Sequence, residues 1–494
     1  MKKLQTIATT AAILAASIAV QAQTIHVWET ETDRSQLFSQ EENSVEFTVN
    51  KRERVPYIVV DPARSYQTME GFGFALTGGS AEHLIKMSPA ARHEILCDMF
   101  DPAEGMGFSY VRLTLGASDL NSFVFSYNDM PEGKEDFKLK NFSLSQDLKD
   151  VVPVMYEILG INPDITIMSS PWSAPTWMKE SGNVRGGRLR KDCYRVYAEY
   201  FAKYVKAMEK EGIHIDAVTI QNEPLNNRNT PSMPWDPVDQ AEFVRDHLGP
   251  VFEAQNIDTD IIVFDHNCDR PDYALAIYND PQADKYVTGS AYHHYRGDLS
   301  AMSYVYEARP DRKIYFTEQM LTERPGSKTI DIARAVKRLI VGITRNWSSN
   351  VVLWNLAADP LNDPHTDNGG CSMCQGAITI DGDAVTKNIG YYVISHASKF
   401  VTPDSKRIFS TAPGERIISI AEDEQHPGIW RTNVIEHADV PDNVTFRTPQ
   451  GKIVMIVAND SWSRNDVHIQ YNGKFATLKI APGAVATYVW NAEE

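Results

Sequence analysis

Long apolar runs and an excess of positive charge are both missing from this sequence. No segment of the 494-residue chain approaches ~18 uninterrupted apolar residues, so the sequence predicts no integral membrane association. Lysine and arginine number 48 against 65 aspartates and glutamates, which gives a net charge of −17. This acidic balance disfavours nucleic acid and anionic membrane surfaces as partners, and a neutral substrate fits the chain better.

Two hydrolase signatures are missing as well. The chain has neither a Gly-x-Ser-x-Gly motif, which would indicate a serine esterase, nor a His-Glu-x-x-His motif, which would indicate a zinc peptidase. His293 and His294 are adjacent, but neighbouring residues on a strand face opposite sides, so they do not easily bind one ion together. We therefore predict no metal ion and no cofactor.

The first 22 residues have the pattern of an export signal. Lys2 and Lys3 are basic, Ala11–Val20 is a short apolar stretch, and Ala22 is a small residue at the cleavage position. We therefore expect a signal peptide over 1–22 and a bacterial protein that is periplasmic or secreted. We also expect a monomer.

Cysteine is scarce and odd in number. The five cysteines are Cys97, Cys193, Cys268, Cys371 and Cys374. Cys371 and Cys374 form a Cys-x-x-Cys motif, but a structural zinc site would need a second such pair. In an oxidising compartment a local disulfide between these two is favoured, and two free thiols are the alternative.

Strand-like and helical segments alternate between Met69 and about Leu356. The eight apolar strands that the pattern predicts are Gly71–Leu76, Tyr110–Leu115, Ile165–Ser169, Ala217–Gln221, Ile261–Asp265, Val287–Tyr292, Ile314–Thr317 and Val351–Asn355. Alternating strands and helices imply a parallel sheet, and eight units imply closure into a (β/α)8 barrel of the TIM type. We predict this α/β barrel over 66–398.

A different pattern follows the barrel. Short alternating runs separated by turn signals such as Pro413-Gly414 and Asn472-Gly473 predict an all-β sandwich over 399–494. The segment 23–65, which precedes the barrel, is also strand-like. We expect it to join the C-terminal strands, so that the appended sandwich is built from both ends of the chain.

Two glutamates stand at matching places on the predicted barrel. Glu223 follows the strand Ala217–Gln221, and Glu318 follows the strand Ile314–Thr317, 95 positions later. In such barrels the C-terminal strand ends carry the chemistry. A pair of carboxylates is what glycosidic bond cleavage requires, one as an acid and one as a nucleophile. The alternative for each is a surface or ion-paired glutamate.

Other polar and aromatic residues share these strand ends. They are Asp119, Trp172, Asn222, His293, Tyr295 and Trp354. Tryptophan faces complement the apolar face of a glucose ring, and Asn222 can donate to a sugar 2-hydroxyl. A helix cap remains the alternative for Asp119, and a turn-stabilising side chain for Asn222. A non-catalytic carbohydrate-binding barrel would keep the aromatics and lose one glutamate, so the presence of both favours an enzyme.

Four motifs resemble glycoside hydrolase family 30. They are Gly71–Thr77 (GFGFALT), Ser170–Lys179 (SPWSAPTWMK), Asn222–Pro224 (NEP) and Trp354–Leu356 (WNL). The resemblance spans the barrel and the sandwich. It implies that Glu223 is the acid/base and Glu318 the nucleophile of a retaining double displacement. It also implies that the six strand-end residues above bind the sugar, with Arg112 near the nucleophile.

The substrate is suggested by a departure within the family. The string Ala75–Ala81 (ALTGGSA) is more similar to the bacterial β-1,6-glucanase branch than to the glucosylceramidases. The resemblance therefore implies an endo-β-1,6-glucanase acting on β-glucan oligo- or polysaccharide. The alternatives are an exo-acting β-glucosidase and a glucosylceramidase-like hydrolase.

Overall fold

The computed structural model describes residues 23–42, 44–52, 55–415, 417–422, 425–435 and 438–492. The predicted signal peptide, 1–22, lies outside them. So does Arg416, the first residue of a strand that alternation predicts over Arg416–Ile420. Among the described residues no helix is both long and apolar enough to cross a bilayer.

The predicted barrel is present as eight parallel strands in sequential order. They are Gly71–Leu76, Tyr110–Thr114, Thr166–Ser170, Ala217–Thr219, Asp260–Cys268, Val287–Gly297, Lys313–Glu318 and Asn350–Leu353. The eighth strand pairs with the first. Between the seventh and eighth strands the barrel is joined by single hydrogen bonds, from Phe316 N to Asn350 Oδ1 (2.8 Å) and from Ser349 N to Ile314 O (2.8 Å).

Apolar side chains fill the inside of the barrel. Tyr110, Met168, Ala217, Ile262, Ala291, Tyr315 and Val352 form one buried cluster, with one member from each strand after the first. The first strand contributes close backbone packing instead. A Cβ on Gly73 would lie 1.8 Å from the carbonyl oxygen of Tyr110, so this position requires glycine. The inside of the barrel is therefore a packed core, and the strand ends above it are free to form a site.

Helices surround the strands. They are Gly78–Lys86, Pro89–Phe100, Val151–Ile161, Tyr194–Lys210, Pro237–Phe243, Gly249–Gln255, Pro271–Tyr278, Pro281–Asp284, Ser300–Ala308, Ile332–Val336, Ile343–Arg345 and Ile389–Ser398, with π-helical turns at Val244–Leu248 and Lys337–Gly342. Short 3-10 turns occur at Asp147–Lys149, Thr176–Met178 and Lys191–Cys193. The helix Tyr194–Lys210 buries Tyr197, Phe201, Tyr204 and Met208, whose spacing places them on one face.

The sandwich is built from both ends of the chain, as predicted. Its main sheet has the strand order Leu37–Gln40, Thr24–Thr30, Val485–Asn491, Lys452–Ala458, Asp442–Arg447, Lys406–Ser410, Ile58–Thr68, Asp466–Tyr471 and Lys474–Lys479, and Val45–Glu46 also pairs with Thr24–Thr30. A bridge between Thr48 and Phe475 brings the far edge of this sheet back to its start. The strand that leads into the barrel ends at Thr68, so the boundary expected after residue 65 falls within it.

Two smaller sheets complete the described strands. One contains Ala357–Ala358, Ile378–Asp381 and Ala384–Lys387, and the other pairs Ile417–Glu422 with Trp430–Ile435. The sandwich packs firmly on the barrel, because Phe446, Val454 and Ile456 belong to the same buried apolar cluster as the barrel helices. The sandwich thus supports the barrel from the side.

Candidate active site

The predicted site residues come together around one cleft at the C-terminal end of the barrel. The cleft has a volume of about 670 Å³ and is lined by Asp119, Trp172, Glu223, Tyr295, Glu318 and Trp354, among others. Arg112, Asn222 and His293 are buried and contact this lining from behind. All nine predicted residues therefore belong to a single constellation.

Glu318 is held at both of its carboxylate oxygens. It is the last residue of the seventh strand and is buried. Oε2 accepts a hydrogen bond from Arg112 Nη1 (2.7 Å), and Oε1 accepts one from the Tyr295 hydroxyl (3.0 Å). The ring of Tyr295 is 39% exposed, and its hydroxyl points inward to this contact. The Glu318 carboxylate is thus fixed by Arg112 at Oε2 and by Tyr295 at Oε1.

Glu223 lies just beyond the fourth strand in a left-handed backbone conformation. Its φ is +48°, which is uncommon for a residue with a side chain, and its N–H donates to the carbonyl of Asp265 (2.9 Å). Oε2 accepts from Asn226 Nδ2 (2.6 Å), and Oε1 lies 3.3 Å from His293 Nδ1. Such local strain is typical of functional positions, where the surrounding contacts maintain it.

The two glutamates face each other closely. One carboxylate oxygen of each, together with a ring nitrogen of His293, lies in a group whose atoms are all within 4.8 Å of one another. Carboxyl groups ~5–5.5 Å apart are typical of retaining glycosidases, and ~6.5–9.5 Å of inverting ones. An oxygen-to-oxygen distance below 4.8 Å agrees with the shorter spacing.

Arg112 connects both sides of the site. It is fully buried on the second strand and donates four hydrogen bonds, to Glu318, to Asn222 Oδ1 (2.8 Å), to Asp265 Oδ2 (2.9 Å) and to Ser170 Oγ (3.1 Å). A buried guanidinium needs this complete set of acceptors, because an unpaired charge in the interior is strongly unfavourable. Arg112 therefore positions the nucleophile candidate and the sugar-binding candidate Asn222 together.

Asp265 lies at the centre of this hydrogen-bond network, although no motif in the sequence predicts it as a site residue. It is fully buried and accepts hydrogen bonds from Arg112, His293, Thr219 Oγ1 (2.6 Å) and Thr317 Oγ1 (2.6 Å). The fifth strand has a bulge here, with φ +72° at Phe264 and +67° at Asp265. The bulge turns the carboxylate inward, between the two predicted catalytic strands.

His293 is the charged link between the carboxylates. Its Nε2 lies 2.9 Å from Asp265 Oδ1, and its Nδ1 lies 3.3 Å from Glu223 Oε1 and 3.7 Å from Glu318 Oε1. Burial alone would lower the pKa of His293, but Glu318, Asp265 and Glu223 together raise it to about 9. The imidazole is therefore protonated at neutral pH.

The surroundings of Glu223 and Glu318 shift the pKa values of these two groups in opposite directions. Burial would raise the pKa of Glu223, but the hydrogen bond and charge of His293 lower it to about 2. Burial raises the pKa of Glu318, with Glu223 acting in the same direction and His293 and Arg112 in the opposite one. His293 thus favours the ionised form of Glu223.

Glu223, His293 and Glu318 are spaced closely enough to surround a cation. However, both ring nitrogens of His293 already lie against carboxylates, and the Arg112 guanidinium supplies positive charge beside Glu318. The carboxylates are therefore paired with the side chains of Arg112 and His293, which fits an ion-pair network better than a metal centre. The absence of a metal remains a prediction.

The sugar-binding candidates form the far wall of the cleft. The rings of Trp172 and Trp354 stack with centroids 5.2 Å apart, and the indole N–H of Trp172 is buried without a hydrogen-bond partner in the described residues. Burial and the charges of Glu318 and Glu223 raise the pKa of Asp119 to about 8. Trp172, Trp354 and Asp119 are all nearly fully buried, so each presents only a small part of its side chain to the cleft that they line.

The predicted disulfide between Cys371 and Cys374 is present and lines the same cleft. Cys374 Sγ lies 3.3 Å from Met320 Sδ, and Met320 follows Glu318 by two residues. The disulfide thus closes the loop that covers one side of the site.

Replacing Asp265 with asparagine is expected to move the alkaline limb of kcat/KM to lower pH. Without the Asp265 charge, the raised pKa of His293, about 9, falls towards its ordinary value, so the site loses its proton earlier as pH rises. A shift of roughly one unit or more follows from removing one adjacent charge. Hydrolysis of an aryl β-glucoside between pH 5 and 10 measures it. The exposed Asp272→Asn is the control, and an unmoved limb in Asp265→Asn would contradict the assignment.

Comparison with known proteins agrees with this geometry. Residues 69–401 match the glycosyl hydrolase family 30 TIM-barrel domain, and residues 432–488 match the beta-sandwich domain of the same family. An endo-1,6-β-D-glucanase of Aspergillus fumigatus is 32% identical over 78% of this chain and 82% of its own length. The lysosomal acid glucosylceramidase of mouse is 25% identical over 88% of this chain and 84% of its own.

A solved structure has a similar fold over nearly the whole chain. A protein described as an endo-β1,6-glucanase superposes with a TM-score of 0.82 at 29% identity, covering 95% of this chain and 99% of the other. The barrel and the sandwich thus agree with the domain matches, and the chain belongs to glycosyl hydrolase family 30.

Proposed function

We propose that this glycoside hydrolase is an endo-β-1,6-glucanase that cleaves β-1,6-linked glucan with retention of anomeric configuration. The observation that carries the proposal is the pair Glu223 and Glu318, whose carboxylate oxygens approach within 4.8 Å on the floor of a wide cleft. That spacing suits attack by one carboxylate while the other serves the leaving oxygen.

Glu318 is the nucleophile in this proposal. Arg112 holds Oε2, so the oxygen left to attack the anomeric carbon is Oε1, which a single neutral hydroxyl, that of Tyr295, holds by a hydrogen bond. As the bond forms, Oε1 loses negative charge and the phenol hydrogen bond weakens. The product of this step is a glycosyl ester on Glu318, with inverted configuration.

Glu223 is the acid and later the base. His293 Nδ1 lies 3.3 Å from Glu223 Oε1 and orients this carboxyl group. In its protonated form Glu223 donates a proton to the glycosidic oxygen as the bond to the leaving sugar breaks. In the second step Glu223 removes a proton from water, water attacks the anomeric carbon, and Glu318 leaves as a carboxylate.

The surrounding residues recognise the sugar at the cleavage point. Asn222 uses Oδ1 to accept from Arg112, so its amide N–H groups remain to donate to the 2-hydroxyl. Trp172 and Trp354 contact the ring, and Asp119, with its raised pKa, is a hydrogen-bonding partner for other hydroxyls. Sugar hydroxyls are neutral, which fits the acidic chain.

Hydrolysis rates on two substrates test the proposed specificity. We expect kcat/KM on pustulan, a β-1,6-glucan, to exceed that on glucosylceramide in detergent, because the relatives named as endo-1,6-glucanases are more similar to this chain than the glucosylceramidase is. Product sizes over time separate endo from exo action, since an exo enzyme releases glucose alone. Faster cleavage of the lipid would favour the glucosylceramidase alternative.

The proposal extends to where the enzyme acts and to its oligomeric state. Export by the 1–22 segment would bring the enzyme to extracellular or periplasmic glycan, where an oxidising environment suits the Cys371–Cys374 disulfide. We propose that it acts there as a monomer.

A further inference from the structure

A second cavity lies beside the candidate active site. It has a volume of about 690 Å³ and is bounded by loops that follow the second, third, fourth and eighth barrel strands. This volume is within the range of sites that bind small ligands. None of the nine residues assigned to catalysis or to sugar binding lines it.

The second cavity adjoins the first. Asn227, four residues after Glu223, lines both. Ser122 and Phe123, which line the second cavity, follow Asp119 by three and four residues. The loop from the eighth strand joins them, because Thr366 N donates to the carbonyl of Asp119 (3.0 Å). Asn227 therefore lies at the border of the two cavities, and a polysaccharide chain that extends past it from the cleavage point would reach the second one.

The walls of the second cavity are preformed. Lys179 is buried, and its Nζ donates to Val184 O (3.2 Å), Ser232 O (2.9 Å) and Ser173 Oγ (2.8 Å). Arg185 Nη1 donates to Asn368 O (3.0 Å), which ties the third-strand loop to the eighth-strand loop. Walls fixed before binding reduce the entropy lost when a flexible ligand binds.

The lining has the chemistry of a sugar site. Phe123 is 53% exposed and Val184 36%, so both offer apolar surface to the cavity. Asn183, Asn227 and Asn368 place amide groups around them. Aromatic surface next to planar amides matches a pyranose ring, which has apolar faces and hydroxyls at its edge.

We propose that this cavity binds further glucosyl units of the same polysaccharide chain, on one side of the bond being cleaved. The inference rests on the proposed function and explains how a site at one bond engages a polymer. Phe123 is then a residue that determines preference for longer chains.

Phe123→Ala tests the proposal. We expect it to lower kcat/KM for β-1,6-gluco-oligosaccharides of five or six units about tenfold, which corresponds to about 1.4 kcal/mol. Hydrolysis of an aryl β-glucoside, which is too short to reach the cavity, should stay within about twofold of wild type. Phe123→Trp should keep the length preference. The matched control is Phe137→Ala, because Phe137 is 45% exposed but does not line the second cavity.

The outcomes separate the two proposals. If wild type cleaves none of the oligosaccharides, the proposed substrate is rejected and this inference with it. If wild type prefers long chains and Phe123→Ala matches Phe137→Ala, the cavity assignment alone is overturned. The assignment is also overturned if Phe123→Ala slows long and short substrates equally, since that indicates a general structural effect. Unchanged melting temperatures confirm that the variants are folded.

Discussion

Replacing Glu318 with alanine is expected to lower kcat on β-1,6-glucan by at least about 10⁴-fold. The variant loses the oxygen that attacks the anomeric carbon, and no other described carboxylate at the site accepts hydrogen bonds from both Arg112 and Tyr295. Folding should survive, because Asp265 continues to pair with Arg112. Initial rates on glucan and thermal melting of the same preparation measure both effects.

Replacing Glu223 with alanine provides the complementary result. Loss is expected to be large on glucan and smaller on aryl glucosides, whose leaving groups need little protonation. Azide should rescue the two variants differently. It replaces the missing carboxylate in Glu318→Ala and gives an inverted glycosyl azide, whereas Glu223→Ala gives a retained one. Equal products, or wild-type rates in either variant, would reject the assigned roles.

Replacing Arg112 with leucine is expected to destabilise the fold by about 3–5 kcal/mol and to abolish turnover. The change leaves Asp265 and Glu318 buried without their cation, and Asn222 without its donor. Urea unfolding, monitored by fluorescence, measures the difference in free energy. Arg112→Lys should recover only part of it, since one ammonium group cannot reproduce four directed hydrogen bonds.

A surface arginine is the control for this measurement. Arg195 is 56% exposed and pairs with Glu199 one helical turn away. Arg195→Leu should change the free energy of unfolding by less than about 1 kcal/mol. If Arg112→Leu behaved in the same way, the buried network would not be the support that we describe.

The strand-end positions of the site could be predicted because the barrel pattern is strong in the sequence. Once eight strands are placed, Glu223 and Glu318 fall at equivalent ends, and the structure brings them together. Asp265 could not be found in the same way. It depends on a bulge with two consecutive left-handed residues, Phe264 and Asp265, and nothing in the apolar run Ile261–Phe264 announces that conformation. His266, which also lines the cleft, was missed for the same reason.

The pKa values of His293, Glu223 and Glu318 could not be predicted from the sequence either. They depend on distances of 2.9, 3.3 and 3.7 Å from His293 to three carboxylates at the ends of different strands, which only the assembled barrel defines. In the C-terminal part most strands were predictable from alternation, but Thr24–Thr30, Leu37–Gln40, Lys406–Ser410 and Trp430–Ile435 were not identified. The partners of the first two lie elsewhere in the chain, so local pattern alone does not fix their limits.

The pairing of the first and last described strands has a consequence for the order of folding. Thr24–Thr30 emerges from the ribosome early but pairs with Val485–Asn491, and Ile58–Thr68 waits for Lys406–Ser410 and Asp466–Tyr471. Until then Thr24–Thr30 has only the short strands Leu37–Gln40 and Val45–Glu46 as partners, and the buried cluster around Ile25, Val27, Ile58 and Val60 lacks its C-terminal members. Nearly the whole polypeptide must therefore be synthesised before this domain can close, and a vectorial N-to-C folding route is excluded for it.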